Sequence, residues 1–168
     1  VMMQKSFKNE TDDEDFKKKM TKEFIDYYSK NISHQSKPLN GVVNFLKWAK
    51  EKNITMAICT NKQEHLANSL LKDLKLLEFF SFVAGANTFS YNKPDPRHLT
   101  DVVEIVEGDL KKTIMVGDSE VDAMSAHNAK VPFVLVKDGY TEKSEKEIQH
   151  NELISDFTGF ENIIEKYL

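Results

Sequence analysis

In residues 113–122, TIMVGDSEVD, an apolar run is followed directly by acidic and hydroxyl side chains. The same change occurs at residues 54–62, ITMAICTNK. A third polar segment, Lys93-Pro94-Asp95, follows the apolar run Phe80–Ala84 at a short distance. Together the segments supply a hydroxyl, an amide, a fixed cation and a pair of carboxylates. A phosphate ester and a divalent metal ion need this set of groups.

Short apolar runs alternate with helical patterns from residue 54 onward. The runs lack the alternation of polar and apolar residues that marks a half-exposed sheet, so both faces of each strand are expected to be covered. This alternation predicts an α/β fold with a doubly wound, mostly parallel sheet. The predicted strands are residues 54–59, 80–84, 113–116, 131–136 and an edge strand at 153–154.

The first part of the chain has a different character. Residues 12–30 carry Phe16, Met20 and Phe24 at helical spacing, which predicts an amphipathic helix whose charged face is solvated. Residues 1–37 are therefore predicted to be helical only and to lie outside the sheet. A further helix, over residues 39–52, opens the predicted core, which extends from residue 38 to residue 168.

Composition narrows the class of protein. The chain has 168 residues, 40% of them hydrophobic, and a net charge of -4, which gives no electrostatic footprint for nucleic acid. No apolar run approaches the ~18 residues that a membrane span needs. Cys59 is the one cysteine, so a disulfide framework is excluded and a cytoplasmic setting is expected.

The acidic residues of the opening segment suit a metal site. Asp118 follows the strand end Val116-Gly117, where a carboxylate is a hard oxygen ligand for Mg²⁺. Asp122 lies one helical turn further on and can support the same site, while Ser119 can cap the helix. A plain capping turn with two surface aspartates explains the same residues, so this motif alone leaves both interpretations open.

The other two segments suit a phosphate group. Thr60 offers a hydroxyl, and Asn61 a side-chain amide, at the end of a strand. Lys93 lies in a loop stiffened by Pro94 and Pro96, which suits a fixed countercharge. Taken alone, Thr60-Asn61 is better explained as an ordinary helix N-cap than as a phosphate-binding segment. Taken alone, Lys93 is explained equally well as a solvated surface lysine and as a countercharge for phosphate.

In this order, the three segments resemble the second, third and fourth motifs of the haloacid dehalogenase superfamily. Further likeness to its phosphoglycolate phosphatase branch comes from short segments along the chain: Pro38-Leu39-Asn40-Gly41-Val42, Ala84-Gly85-Ala86, Asp138-Gly139-Tyr140 and Ile154-Ser155-Asp156. The resemblance covers residues 38–168 and implies a Rossmannoid core of that superfamily. Residues 1–37 look like the latter part of a helical cap domain.

The resemblance implies a hydrolase that cleaves a small phosphorylated metabolite, a phosphate monoester, through an aspartyl-phosphate. Thr60 would bind the transferring phosphoryl group with Asn61 beside it, and Lys93 would hold the phosphate charge in a catalytic role. Asp118 would ligate Mg²⁺, with Asp122 in support. Neither nucleic acid nor a membrane is expected as a partner.

The first motif of the superfamily, Asp-x-Asp-Gly-Thr, does not occur in this sequence. That motif holds the nucleophile, so no nucleophile is assigned here, and the chain by itself is expected to be inactive. The strand that carries the motif is central in the family, and its loss predicts either a rearranged sheet centre or a homodimer formed through unpaired strand edges. A truncated or decayed protein that only binds is therefore the alternative function; a receiver-like regulatory domain fits poorly, because no acidic cluster follows a first strand.

Overall fold

The computed structural model describes residues 16, 19, 20, 23 and 36–167. The chain divides into two compact units, Val1–Ser36 and Lys37–Leu168. In the first unit, residues 16, 19, 20 and 23 are helical, and Ser36 is not. The rest of the helix predicted over residues 12–30 lies outside the described residues.

The second unit alternates helices and strands as predicted. Its helices are α1 (Val42–Glu51), α2 (Glu64–Asp73), α3 (Pro96–Ile105), α4 (Glu120–Asn128) and α5 (Glu161–Ile164). Its strands are β1 (Ala57–Cys59), β2 (Phe82–Ala84), β3 (Met115–Gly117), β4 (Phe133–Val136) and β5 (Glu152–Ile154). Four of the strands, β1 to β4, start two or three residues later than the predicted runs, because the first residues of each run lead into the strand without pairing; β5 starts one residue earlier than predicted.

The strands of the described residues lie in two sheets rather than one. β1 pairs with β2, and β3, β4 and β5 pair in that order. All three pairings are parallel, which confirms the predicted strand direction. The registers place Ile58 opposite Val83 and Val116 opposite Val134. Among the described residues, no hydrogen-bonded ladder joins β1 to β3, so these two strands have not closed up against each other.

Strand β4 shows that helices cover both faces of the larger sheet. All four of its residues are buried. Phe133 and Leu135 point into one hydrophobic cluster, with Leu99 of α3 and Ala126 of α4. The alternate residues Val134 and Val136 belong to a second cluster with Phe160 and Ile164 at the end of the chain. Burial on both faces explains why the strand sequences carry no polar alternation.

An aromatic group stabilises the second cluster. Phe160 is 1% exposed and meets Phe45 of α1 edge to face, with ring centroids 4.7 Å apart. Phe157 also contacts Phe160 edge to face, at 4.9 Å. Such pairs add about 0.5–1.5 kcal/mol beyond the burial of their area. The C-terminal segment is thus fixed to the first helix of the core.

Replacing Phe160 by alanine should lower the free energy of unfolding by about 3–5 kcal/mol, because the ring is buried and its cavity cannot collapse fully. Tyr140→Ala is the control at an aromatic residue that is 92% exposed, and should change stability by less than about 0.5 kcal/mol. Urea unfolding followed by circular dichroism measures both values. Equal losses in the two variants would contradict the assigned packing of the C-terminal segment.

Candidate active site at the carboxyl edge of the sheets

The turn between β3 and α4 positions both predicted aspartates. Ser119 is the N-cap of α4, and its hydroxyl and the Asp122 carboxylate form a reciprocal capping box. Asp122 Oδ2 accepts hydrogen bonds from the Ser119 hydroxyl at 2.7 Å and from the Asp118 backbone N–H at 3.1 Å. A Cβ at Gly117 would lie 2.6 Å from the Asp122 carboxyl carbon, so only glycine fits there. The predicted capping role of Ser119 is confirmed.

A buried ion pair joins Lys93 to Asp122. Lys93 Nζ lies 2.5 Å from Asp122 Oδ1, and the two side chains are 10% and 7% exposed. Burial alone would raise the pKa of Asp122, but the Lys93 charge and the hydrogen bonds from Lys93, Ser119 and the Asp118 backbone together lower it. Asp122 is therefore held ionised with both oxygens occupied, and it positions Lys93 rather than facing the solvent.

Neighbouring side chains hold the loop that carries Lys93. Asn61 donates from its side-chain amide to the Lys93 carbonyl oxygen at 2.8 Å. The Lys93-Pro94 peptide bond is cis. Asp95 accepts from the Arg97 backbone N–H at 2.9 Å and so caps α3. The cap was overlooked at the sequence level, although an Asp-Pro pair before a helical pattern is a known start signal.

Thr60 follows directly after β1 and is joined to the same group. Its backbone N–H donates to the Ala84 carbonyl at 2.9 Å, and its hydroxyl accepts from the Lys62 backbone N–H at 3.1 Å. Burial raises the pKa of the adjacent Cys59 thiol to about 11, with opposing contributions from Lys93 and Asp122. The end of β1 thus lies within electrostatic reach of the ion pair.

Asp118 contacts the segment Asp138-Gly139-Tyr140, which in the sequence supported only the family resemblance. The Tyr140 backbone N–H donates to Asp118 Oδ2 at 3.2 Å. A Cβ at Gly139 would come within 2.3 Å of the Asp118 carbonyl oxygen, so glycine is required for this approach. The Tyr140 residue itself is 92% exposed.

His98 is a buried group near the site that sequence reasoning missed. It is fully buried in α3 and meets the Phe89 ring edge to face at 5.6 Å. Neither ring nitrogen makes a hydrogen bond of standard geometry. Burial lowers the pKa of His98 first, and the Lys93 charge lowers it further, while the Gly85 backbone opposes both only in part. A lone histidine in a helical pattern gives no sequence signal for such burial.

Of the two aspartates predicted for a Mg²⁺ site, Asp118 alone has a carboxylate available to a ligand. Asp118 offers a carboxylate at the end of β3, whereas Asp122 already has both oxygens engaged. Among the residues described, no group of three or more His, Cys, Asp or Glu side chains could hold a metal ion. These side chains therefore do not complete a metal site by themselves, and no chemical step is assigned to a metal.

The chain belongs to the haloacid dehalogenase-like hydrolases, whose family model matches residues 1–136. Among curated relatives, the phosphoglycolate phosphatase of Mesorhizobium japonicum is 38% identical over 139 residues, covering 83% of this chain and 61% of that protein. The phosphoglycolate phosphatase of Agrobacterium fabrum is 37% identical over 148 residues, covering 85% of this chain and 64% of its own length. The chain thus spans less than two thirds of the length of these relatives.

Solved structures agree on the fold. A Haemophilus somnus protein described as a predicted phosphoglycolate phosphatase superposes with a TM-score of 0.86 at 24% identity, covering 90% of this chain and 68% of that one. A β-phosphoglucomutase of Clostridium difficile superposes with a TM-score of 0.74 at 23% identity, covering 92% and 68%. These likenesses confirm the α/β architecture. In the part of the chain that the structure describes, no helix is both long and apolar enough to cross a membrane.

Breaking the buried ion pair should be costly, because the remaining charge would stay buried without a partner. We expect Asp122→Asn to lose about 3–5 kcal/mol of unfolding free energy. In a double-mutant cycle with Lys93→Met, the coupling energy should be about 1–3 kcal/mol. The control cycle uses the more exposed pair Lys166–Glu152, whose 2.9 Å contact should couple by less than about 1 kcal/mol. Equal coupling in both cycles would contradict the buried pair.

The neutral form of His98 should make stability depend on pH. Its pKa in the folded protein lies below the unfolded value of 6.5, so its contribution is complete above pH 6.5 and is lost as the pH falls through the folded pKa. We expect His98→Leu to reduce the loss of unfolding free energy on acidification. His127→Leu, at an exposed position of α4, is the matched control and should keep the wild-type pH profile.

Proposed function

We propose that this site serves the hydrolysis of a small phosphate monoester of the phosphoglycolate type, with Mg²⁺ as cofactor. The observation that carries the proposal is the convergence of Thr60, Lys93 and Asp118 at one edge of the two sheets. Polar residues at the carboxyl ends of parallel strands form the usual ligand site of open α/β folds. The phosphoglycolate phosphatases among the relatives support the choice of substrate class.

Each side chain has a distinct part in this proposal. The Thr60 hydroxyl and the backbone N–H groups after it would hold the phosphoryl oxygens, with Asn61 beside them. Lys93 would supply a fixed positive charge close to the phosphate, in an environment where burial strengthens electrostatic interactions. Asp122 keeps Lys93 in place, and Asp118 would be the metal ligand. A bound Mg²⁺ would stabilise the charge that develops on the phosphoryl oxygens.

A second candidate function is phosphate binding without hydrolysis. The family resemblance implies an aspartyl-phosphate, and covalent catalysis needs a free nucleophile. The described residues contribute two carboxylates to the site: Asp122 is occupied by Lys93 and Ser119, and Asp118 is the proposed metal ligand. This shortage of a free carboxylate favours binding over turnover for the chain by itself.

The net charge of the chain and its cysteine, Cys59, bear on the proposed partner and cellular location. A net charge of -4 gives no electrostatic attraction for nucleic acid, and the phosphoglycolate phosphatases among the relatives support a small phosphorylated metabolite as partner. Cys59 is a free thiol in the structure, and its high pKa makes it a poor nucleophile. We propose a cytoplasmic location because a lone cysteine is usual in a reducing compartment.

The first test of the proposal is phosphate binding by the chain itself. Thr60→Val should weaken the binding of inorganic phosphate by about tenfold or more, since a hydrogen bond to a charged group contributes about 1.5–3 kcal/mol. Thr55→Val is the matched control, because Thr55 is exposed before the opposite end of β1. Isothermal titration calorimetry measures both. Equal binding by wild type and Thr60→Val would contradict the phosphate site.

The second test, turnover in the presence of Mg²⁺, separates hydrolysis by the chain alone from phosphate binding without hydrolysis. We expect no meaningful hydrolysis of p-nitrophenyl phosphate or phosphoglycolate by the chain alone, because removal of a covalent nucleophile costs several orders of magnitude in rate. Release of phosphate, followed colorimetrically, measures this. Robust turnover that disappears in Asp118→Ala would reject the inactive alternative and would require a substitute nucleophile.

A further inference from the structure

Two segments that carry the proposed phosphate ligands lie side by side. We call residues 60–63, which lead from β1 into α2, the threonine turn. Residues 85–95, which lead from β2 into α3, are the lysine loop. Near the end of the loop, the Asn61 amide donates to the Lys93 carbonyl oxygen at 2.8 Å. Because Lys93 lies in the loop, its distance from the threonine turn depends on how the loop is attached.

The start of the lysine loop caps helix α2 from outside that helix. The N-cap residue of α2 is Gln63, whose side chain makes no capping hydrogen bond to the described residues. Instead, Asn87 Oδ1 accepts from the Glu64 backbone N–H at 2.9 Å. The first N–H groups of a helix lack partners within it, and this contact satisfies one of them. The predicted alternative, an ordinary N-cap at Thr60-Asn61, is therefore wrong.

Thr88 makes the strongest attachment between the loop and α2. Its hydroxyl donates to Glu64 Oε2 at 2.6 Å and accepts from the Gly85 backbone N–H at 2.8 Å. A hydrogen bond from a hydroxyl to a carboxylate is charge-assisted and roughly twice as strong as a neutral one. Thr88 is also half-buried, so water competes less for this bond. The Asn61 and Asn87 contacts are neutral by comparison.

Glycine at position 85 permits this attachment. A Cβ at Gly85 would lie 2.3 Å from the Glu64 backbone nitrogen, so the loop and the start of α2 are in backbone contact here. The adjacent Ala86 N–H donates to the Lys62 carbonyl oxygen at 2.9 Å. The lysine loop is thus attached at its start to the threonine turn as well as to α2.

The other side of the lysine loop is held by helix α3. The Phe89 ring meets His98 edge to face at 5.6 Å and stacks on Tyr91 at 5.7 Å. The Tyr91 hydroxyl donates to Asp101, which lies in the same helix as His98. The loop therefore has two supports, and Thr88 belongs to the one that faces the threonine turn.

We infer that Thr88 is a positioning residue for the phosphate site. Through Glu64 it holds the lysine loop against the start of α2, and so sets the distance between the Lys93 ammonium group and the Thr60 hydroxyl. Thr88 acts through Glu64 and Gly85 and does not itself contact phosphate. The inference rests on the proposed function, because Thr60 and Lys93 are the proposed phosphate ligands.

The test compares the phosphate affinity of two substitutions at position 88. Thr88→Val keeps the shape of the side chain but removes the hydroxyl, so the loop separates from α2 in part of the molecules. Affinity for inorganic phosphate, measured by isothermal titration calorimetry, should fall about threefold or more, because only the joined fraction binds well. Thr88→Ser keeps the hydroxyl and should bind within about twofold of wild type.

Thr100→Val is the matched control for the loss of a threonine hydroxyl. Thr100 lies in α3, and its hydroxyl contacts the Arg97 carbonyl oxygen and Asp101 at 3.4 Å, within that helix. This substitution removes no bond between the loop and α2. It should therefore leave phosphate affinity within about twofold of wild type.

A signal from Lys93 itself separates a positioning role from a general loss of stability. The Lys93 ammonium group is buried in its ion pair with Asp122, which slows its proton exchange and favours detection by ¹⁵N NMR. Saturating phosphate should shift this signal in wild type and in Thr88→Ser. The shift should be smaller in Thr88→Val, because the phosphate then lies further from Lys93. A substitution that only destabilised the fold would leave the shift of the folded molecules unchanged.

Amide hydrogen exchange without phosphate tests the attachment of the loop. The Glu64 N–H donates to Asn87 and not to Thr88, so it reports on the loop as a whole. It should exchange about tenfold faster or more in Thr88→Val than in Thr88→Ser, because separation of the loop exposes it. Exchange at Met115, whose N–H donates within the other sheet, should be the same in both variants.

Any one of four results would overturn the inference. These are wild-type phosphate affinity in Thr88→Val, an equal loss of affinity in Thr88→Ser, an unchanged Lys93 shift on phosphate binding, or unchanged exchange at Glu64. Failure of the proposed function gives a different result, since wild type itself would then bind no phosphate. The exchange at Glu64 would still decide whether Thr88 joins the lysine loop to α2.

Discussion

The ion pair between Lys93 and Asp122 joins the two sheets. Lys93 lies in the loop after β2, and Asp122 lies in the first turn of the helix after β3, so their contact crosses the space between the halves of the fold. A buried pair of this kind gains little net free energy, because both ions lose their hydration. Its importance is geometric: it fixes the distance between the strand ends where the polar residues meet.

The remaining features of the site depend on that contact. Asp122 also holds the start of α4 through Ser119 and the Asp118 backbone, so the lysine, the helix and the Asp118 main chain share one carboxylate. Asn61 attaches the end of β1 to the Lys93 loop. Three segments that are distant in the sequence are thus linked by a short series of hydrogen bonds, and a disturbance at one would be felt at the others.

The fold could be predicted because its strands are apolar without polar alternation, as in the fully buried β4, and its helices carry regular apolar spacing. The strand ends Cys59 and Gly117 were placed correctly from the residue types alone, and so was the cap at Ser119. The starts of β1 to β4 were placed too early, because an apolar residue such as Ile54 packs in the core without joining a ladder. Burial and pairing are different properties, and hydropathy reports only the first.

The contacts of the site were harder to predict than its members. Asn61 was expected beside a phosphate, a role that stays a prediction, yet its amide also supports the lysine loop. The burial of His98 and the approach of Tyr140 to Asp118 depend on loops that return from distant parts of the chain. No local pattern encodes such approaches, because they are set by how whole elements pack.

The contact between Gly117 and Asp122 also limits how the sequence can change. Any side chain at position 117 would occupy space that the Asp122 carboxyl group already fills, with 2.6 Å between the two carbon atoms. Shortening or moving the residue at 122 would free that space but would release Lys93. The two positions are therefore coupled, because a substitution at either one alters which residues the other can accept. A tolerated change at one position requires a matching change at the other.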